Sequence, residues 1–217
     1  MIDLHTHTIF SDGALIPGEF VRRAYVTGYR AVALTDHVDA SNMAHVLENV
    51  GRFAREQGHF YDMTVLAGVE LTHLPPALIA DGAERARALG AQVVVVHGET
   101  LVEPVAPGTN LAAIEAGVDI LAHPGLITDE EAALAAEKGV LLEITTRGGH
   151  SLSNGHVAAL ARRHGAPLVI NNDAHAPGDQ AGAAHRKAVA LGAGMTPEEF
   201  SAAEDNAREV VRRVLGG

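Results

Sequence analysis

The chain has 217 residues, enough for one substantial hydrophobic core, and its 47% hydrophobic and 20% charged residues are typical of a folded globular protein. It contains no Cys, which excludes disulfide bonds and thiolate metal sites, so imidazole and carboxylate groups must hold any metal ion. The formal net charge of −11, without a Lys- or Arg-rich run, argues against general nucleic-acid binding.

The first residues do not form a secretory signal, because Asp3 and His5 stand where such a signal would be apolar. The longest aliphatic runs, such as Val93 to Val96, are far too short to span a bilayer. The sequence therefore predicts a cytoplasmic protein with no membrane contact. We expect a single domain over residues 1–217.

Short β-branched runs alternate with helical segments along the chain. The runs are continuously apolar, as in parallel strands that helices cover. We predict seven strands, near IDLHTH, AVALTDH, TVLAGVEL, QVVVVHG, DILAHP, VLLEITT and PLVINNDAH.

The helical segments carry clear start and stop signals. Capping boxes at Thr128 with Glu131 and at Thr196 with Glu199 predict where two helices begin. Glycines just before strands predict where helices end: Gly28, Gly90, Gly117, Gly139 and Gly165. Seven β-then-α units and a final helix predict an α/β class barrel, with an open, doubly wound sheet as the alternative.

Ionisable side chains recur where the predicted strands end. His5 and His7 are two residues apart, so they share a face of the first strand, and Asp173 and His175 repeat this spacing in the last. In a parallel barrel the carboxyl ends of all strands meet on one face, where active sites are built. The nine candidates are His5, His7, Asp12, His37, Glu70, His97, His123, Asp173 and His175. Without bound metal such a set would suffer heavy desolvation and repulsion costs, so it predicts a metal site.

The remaining histidines fall into two groups. His73 and His150 follow predicted strands and are candidates for substrate binding. Five others lie in or beside predicted helices, and we expect them to be solvated: His45, His59, His156, His164 and His185.

The motifs DLHTHT…SDG, LTDH, HP and NNDAH, supplemented by GVE and VVHG, appear in this order between residues 2 and 175. In this combination the chain resembles the polymerase and histidinol phosphatase (PHP) family. The resemblance implies a distorted (β/α)7 TIM-like barrel in one domain, with up to three divalent ions. The imidazole and carboxylate ligands favour zinc, manganese or iron.

The resemblance also implies a division of the candidate ligands among three ions: His5, His7, Glu70 and Asp173 for the first, Glu70 again with His97 and His123 for the second, and Asp12, His37 and His175 for the third. Some members of the family have His where this chain has Asp12. The occupancy and metal preference of the third site therefore stay open.

The implied activity is hydrolysis of a small phosphate monoester, similar to histidinol phosphatase, by a metal-bridging hydroxide. Arg147 follows the sixth strand and is a candidate to hold a phosphate oxygen; the alternative is a surface Arg paired with an acid. Gly148 would let the backbone approach the ligand. Asp12 or Asp36 would protonate the leaving group, and the sequence does not choose between them.

Two other functions remain as alternatives. An amidohydrolase-type metal hydrolase often uses a carboxylated Lys bridge, but Lys138 and Lys187 both lie in helical stretches. A non-catalytic or proofreading PHP module of a nucleic-acid assembly would favour a basic surface. We expect a small phosphorylated metabolite as the partner, not a nucleic acid; the sequence does not indicate the oligomeric state.

Overall fold

A computed structural model describes residues 1–216. The strands are β1 (Ile2–Asp3), β2 (Ala31–Leu34), β3 (His37–Val38), β4 (Thr64–Leu71), β5 (Val93–His97), β6 (Ile120–Ala122), β7 (Leu141–Thr145) and β8 (Leu168–Asn171). The α-helices are α1 (Pro17–Thr27), α2 (Met43–Gln57), α3 (Ile79–Ala88), α4 (Thr109–Glu115), α5 (Asp129–Lys138), α6 (Asn154–His164), α7 (Ala183–Gly192) and α8 (Pro197–Val214).

The strands form one parallel sheet in the order β1-β2-β4-β5-β6-β7-β8, and β3 pairs with β4. Its two outer strands approach each other through an isolated backbone bridge between Thr6 and Ala174. The sheet is thus a nearly closed barrel of seven strand positions, because β2 and β3 occupy one position. The predicted α/β, TIM-like barrel is confirmed, in preference to the open doubly wound sheet.

Alternate residues of each strand fill two apolar layers. In β5, Val94 and Val96 belong to the layer between sheet and helices, whereas Val93 and Val95 belong to the barrel interior. Ala207 and Val210 of α8 join the interior layer, so this last helix closes one end of the barrel. The inward positions continue along the strands to the carboxyl end, where polar residues replace aliphatic ones.

The predicted helix signals are confirmed. Thr128 accepts a hydrogen bond from the backbone of Glu131, and Thr196 accepts one from Glu199, with the reciprocal bonds also present. The five glycines predicted to end helices all have a positive φ. No helix within residues 1–216 is both long and apolar enough to cross a membrane.

Two predicted strands are shorter than expected. The first strand ends at Asp3, before His5 and His7, and the second is interrupted at Thr35 and Asp36. Side chains replace the backbone ladder there: the Thr6 N–H donates to Thr35 Oγ1 at 2.9 Å, and the Thr8 N–H donates to Asp36 Oδ1 at 2.8 Å. The chain after β1 is therefore held in place by the interrupted strand.

A cavity of about 660 Å³ lies at the amino-terminal end of the strands, on the face opposite the histidines. Asp119 lies in its lining and pairs with Arg87 and with Arg213 of α8. The Asp119 carboxylate also accepts the Val94 N–H at 2.8 Å. These contacts join strands and the closing helix, so we interpret this end as structural.

Candidate metal centre

Glu70 lies at the centre of the predicted cluster and is fully buried on β4. Its Oε2 is 3.2 Å from His5 Nε2, 3.6 Å from His7 Nε2 and 2.7 Å from His37 Nδ1. Its Oε1 is 3.6 Å from His123 Nε2. One carboxylate thus faces imidazoles that come from three different parts of the barrel.

Asp173 faces the same imidazoles from the other side. Its Oδ1 is 3.1 Å from His7 Nε2 and 3.7 Å from His5 Nε2, and its Oδ2 is 3.8 Å from His123 Nε2. Asp173 and His123 both have a positive φ, of 52° and 28°. Such backbone conformations cost energy in non-glycine residues and occur most often at functional sites.

Asp12, His37 and His175 form a second, more open group at the rim. Asp12 Oδ1 is 3.6 Å from His37 Nε2 and 3.2 Å from His175 Nε2, and its side chain is 59% exposed. Partial burial would raise the pKa of Asp12, but the hydrogen bond from His175 and the nearby imidazoles outweigh it and lower the pKa to about 2. Asp12 is therefore ionised at neutral pH and suits a cation ligand better than a proton donor.

The donor set fits divalent cations. Ligands bonded at about 2.0–2.1 Å around a tetrahedral ion lie roughly 3.3 Å from one another. Between the predicted imidazole ligands and the carboxylates of Glu70, Asp173 and Asp12, the close nitrogen-to-oxygen contacts run from 2.7 to 3.8 Å. The buried atoms without a hydrogen-bond partner include His5 Nε2, both ring nitrogens of His7, both Glu70 oxygens and Asp173 Oδ1. Unpaired buried polar atoms are costly, and bound cations would satisfy them.

The predicted ligands therefore converge as expected, and their donor atoms fall into overlapping groups within 4.8 Å: His5, His7 and Glu70; His5, His123 and Asp173; Glu70, His97 and His123; His7, Asp12, His37 and His175. One group is the set that the resemblance implies for the second ion, and another contains the set implied for the third ion with His7 added. The set implied for the first ion is divided, because Asp173 groups with His5 and His123. The five histidines expected to be solvated lie outside them, with His164 half-buried and the others exposed: His45, His59, His156 and His185.

Glu143 was not predicted, yet it orients two of the histidines. It is fully buried on β7, and both its oxygens are 3.1 Å from His5 Nδ1. Its Oε2 also accepts the His123 N–H at 3.1 Å. Because His5 Nδ1 is held by Glu143, its Nε2 points at Glu70 and Asp173, as in other sites where an outer carboxylate orients a ligating imidazole.

Asp36 is fully buried and positions the loop that carries Asp12. Its carboxylate accepts the backbone N–H and the hydroxyl of Thr8, each at 2.8 Å, and the hydroxyl of Ser11 at 2.8 Å. Burial raises the pKa of Asp36, and these hydrogen bonds oppose that shift. With its oxygens occupied by the loop, Asp36 does not suit the alternative role of proton donor.

Arg147 reaches the cluster from the loop after β7. Its Nη1 donates to the Asp173 backbone oxygen at 3.2 Å, and its Nε lies 3.5 Å from Asp173 Oδ2. The same Nη1 is 3.4 Å from Asp179 Oδ2. Its side chain is 30% exposed, so it both pairs with acids and faces the open site. Neighbouring Gly148 is exposed, with no atom within 4 Å of where a Cβ would stand.

His150 and His73 take different positions beside the cluster. His150 is buried, its ring stacks 4.2 Å from that of His123, and its Nε2 is 3.9 Å from Asp173 Oδ2. His73 is 44% exposed, and its ring centroid lies 5.3 Å from that of His97.

Glu103 is a second residue that sequence reasoning missed. It lies in the loop between β5 and α4, with Oε2 2.9 Å from His97 Nε2 and 3.6 Å from His73 Nε2. Its Oε1 is 3.4 Å from His150 Nε2. An acid in an irregular loop carries no periodic signal, so only the folded structure places it beside three histidines.

Comparison with known proteins supports the resemblance. The PHP domain family model matches residues 3–95. The chain is 51% identical over 201 residues to the uncharacterized protein MJ1295 of Methanocaldococcus jannaschii, covering 91% of this chain and 92% of that protein. It is 28% identical over 193 residues to the DNA polymerase/3'-5' exonuclease PolX of Bacillus subtilis, but spans only 34% of that longer protein.

Solved structures share the fold. Histidinol phosphate phosphatase from Lactococcus lactis, complexed with zinc, L-histidinol and phosphate, aligns with a TM-score of 0.64 at 16% identity, covering 90% of this chain and 94% of that one. Ochratoxinase from A. niger aligns with a TM-score of 0.63 at 16% identity, covering 97% of this chain and 70% of that one. On the family match, the close relative and the ordered motifs, this chain belongs to the PHP family.

Proposed function

We propose that the protein hydrolyses a small phosphate monoester at a centre of up to three divalent ions. The PHP family match and the shared fold support a metal-dependent phosphoesterase. The observation that carries the finer proposal is the set of unpaired buried donor atoms around Glu70 and Asp173. Residues 1–217 would act as one PHP-type domain.

The proposed ligand assignment follows the four overlapping groups. Glu70 would bridge the first two ions, since its two oxygens face different imidazoles, and Asp12 would complete the third at the rim. Imidazole and carboxylate donors suit zinc, manganese or iron. Bound divalent ions would lower the pKa of a water molecule and neutralise phosphate charge.

Arg147 would hold a phosphate oxygen beside Asp173. A planar guanidinium can present two N–H groups to a phosphate, and the Arg147 side chain is partly open to solvent. Gly148 and His150 would line the same side of the site. We assign Asp12 to the metal centre and Asp36 to positioning the loop, so the proton for the leaving group would come from another source.

A small leaving group fits the surroundings. A cavity of about 350 Å³ opens beside His73, and its apolar wall includes Met43, Leu74 and Leu78. The net charge of −11 favours a small anionic ester over a nucleic acid. Histidinol phosphate is the first candidate, because the Lactococcus lactis protein was solved with L-histidinol and phosphate.

The test is an assay of metal-stripped protein reloaded separately with Zn²⁺, Mn²⁺ and Fe²⁺. Phosphate release is expected from a monoester panel that includes histidinol phosphate, and chelation should abolish it. Failure with every monoester at several pH values would refute the proposal. Cleavage of single-stranded oligonucleotides alone would favour a nucleic-acid module, and cleavage of N-acyl amides alone would favour an amidohydrolase.

Replacing Arg147 with Lys is expected to raise KM about tenfold or more, with a smaller change in kcat. A charged hydrogen bond contributes roughly 1.5–3 kcal/mol, and Lys cannot reproduce the planar fork. Steady-state kinetics on the best monoester measure the changes in KM and kcat separately. Arg52→Lys, at an exposed position on α2, is the control and should behave as the unchanged protein. An unaltered KM in Arg147→Lys would remove Arg147 from the substrate site.

Loading of the metal centre is expected to release a proton from His37. Burial lowers the pKa of His37, but the negative charge of Glu70, 2.7 Å away, together with that of Asp12, outweighs it and raises the pKa to about 9. His37 is therefore protonated at pH 7 in the metal-free protein and must lose that proton to bind a cation. Affinity should rise up to about tenfold per pH unit and level off above that pKa.

Calorimetry of metal binding at pH 7, in two buffers with different ionisation enthalpies, counts the released protons. His37→Gln should release about one proton fewer than the unchanged protein. Equal proton counts for both proteins would contradict the assignment of His37.

A further inference from the structure

The central ligands are closed off from solvent, so ions need a route to them. Glu70 is fully buried, and His97 and His123 are each 2% exposed. A metal site must be reachable as well as correctly shaped. The residues that line the approach to this group therefore matter for loading.

His73, His97 and Glu103 form a further group, which we call the rim triad. Their donor atoms all lie within 4.8 Å of one another. Glu103 Oε2 is 2.9 Å from His97 Nε2 and 3.6 Å from His73 Nε2, close to the roughly 3.3 Å expected between ligands of one tetrahedral ion.

The orientation of His97 favours a cation in the rim triad. His97 Nδ1 is 3.2 Å from the Gly98 carbonyl oxygen, which can only accept, so the tautomer that leaves Nε2 free to bind a cation has a hydrogen-bond acceptor for its Nδ1–H. In the neutral ring Nε2 is then a lone-pair acceptor, and it faces the carboxylate of Glu103. Two acceptors that converge on one point are both satisfied by a cation between them.

The rim triad is exposed to solvent, whereas the central cluster is buried. His73 is 44% exposed and Glu103 is 39% exposed, and both lie on loops that follow strands. His97 also belongs to the buried group with Glu70 and His123. Its single available nitrogen cannot serve both groups fully, so an ion at the rim triad competes with one inside. We therefore expect ions to bind the rim triad only transiently.

We propose that the rim triad is a solvent-facing loading site for divalent cations, from which His97 passes an ion inward to Glu70 and His123. The inference rests on the proposed metal centre. It assigns a role to Glu103 and His73 that is independent of the substrate. His150 continues the path, because its Nε2 lies 3.4 Å from Glu103 Oε1 and 3.9 Å from Asp173 Oδ2.

The test measures how fast metal-free protein takes up Zn²⁺, in a stopped-flow competition with a chromophoric chelator. Glu103→Gln removes the charge but keeps the size, and His73→Asn suits the positive φ of 54° at that position. Both variants should take up and release Zn²⁺ at least about tenfold more slowly. A loading site on the path changes both rates and leaves the equilibrium unchanged. His45→Gln, at an exposed position on α2, is the control and should match the unchanged protein.

Equilibrium metal content and affinity, measured by elemental analysis and chelator titration, complete the test. Unaltered content with slower exchange supports the loading site. Unaltered exchange rates overturn it, and so does a loss of equilibrium content or affinity, which would make Glu103 a permanent ligand. If the unchanged protein binds no Zn²⁺, the metal centre itself fails; if it loads and both variants load equally fast, only the loading site fails.

Discussion

Glu70→Gln is expected to lower kcat/KM for the best phosphate monoester by more than about 10³-fold, which corresponds to roughly 4 kcal/mol of transition-state stabilisation. Glu70 faces His5, His7 and His37 with one oxygen and His123 with the other. The amide of Gln replaces one acceptor with two N–H donors, which repel cations and cannot bridge them. Phosphate release and elemental analysis of bound ions measure the loss.

Glu143→Gln is a matched control, because it makes the same change in a second buried glutamate of the site. Glu143 contacts His5 Nδ1 and the His123 backbone and has no predicted ligand role. Loss of the Glu143 carboxylate should lower kcat/KM by about 10- to 100-fold, the usual effect of removing a residue that hydrogen-bonds to a metal ligand. Glu137→Gln, exposed on α5, should change nothing. If Glu143→Gln were as damaging as Glu70→Gln, or if folded Glu70→Gln kept its ions and activity, the bridging role would be wrong.

The barrel could be predicted because its strands are buried on both faces. Val93 to Val96 are all at most 1% exposed, so an unbroken apolar run marks a parallel strand without ambiguity. The interruption between β2 and β3 was not predictable. Thr35 and Asp36 use their side chains to bind the backbone after β1, and local propensity gives no sign of a partner nearly thirty residues away.

The candidate ligands could be predicted because each of them ends or follows a strand, and strand ends share one face of a barrel. Glu143 was missed because it is a single acid inside an apolar strand, and its partner His5 lies 138 residues away. Glu103 was missed because a loop has no periodicity that places its side chains. Direct metal-ligand candidates thus follow from topology, whereas the residues that orient or load them depend on side-chain packing.

The seam between β1 and β8 is closed largely by side chains, and Arg186 of α7 is central to it. The Arg186 side chain is 1% exposed. Its Nη2 donates to the backbone oxygens of Ile2 at 3.0 Å and Ile170 at 2.7 Å, and pairs with Glu204 at 2.7 Å. Burial lowers the pKa of Arg186, but Tyr29 and nearby acids outweigh it, so its pKa is raised and the charge stays. One guanidinium therefore joins the strands that lead to His5 and His7, which follow β1, and to Asp173.

Arg186→Met is expected to lower the free energy of unfolding by about 3 kcal/mol, because it leaves Glu204 and two buried carbonyl groups without their partner. For a domain of this size the melting temperature should fall by about 6–12 °C. Arg208→Met, exposed on α8, should change stability by less than about 0.5 kcal/mol. Adding Glu204→Gln to Arg186→Met should restore part of the loss, since no uncompensated carboxylate then remains. Thermal and urea unfolding compare these three variants with the unchanged protein, and equal stability of Arg186→Met and Arg208→Met would mean that backbone pairing alone closes the barrel.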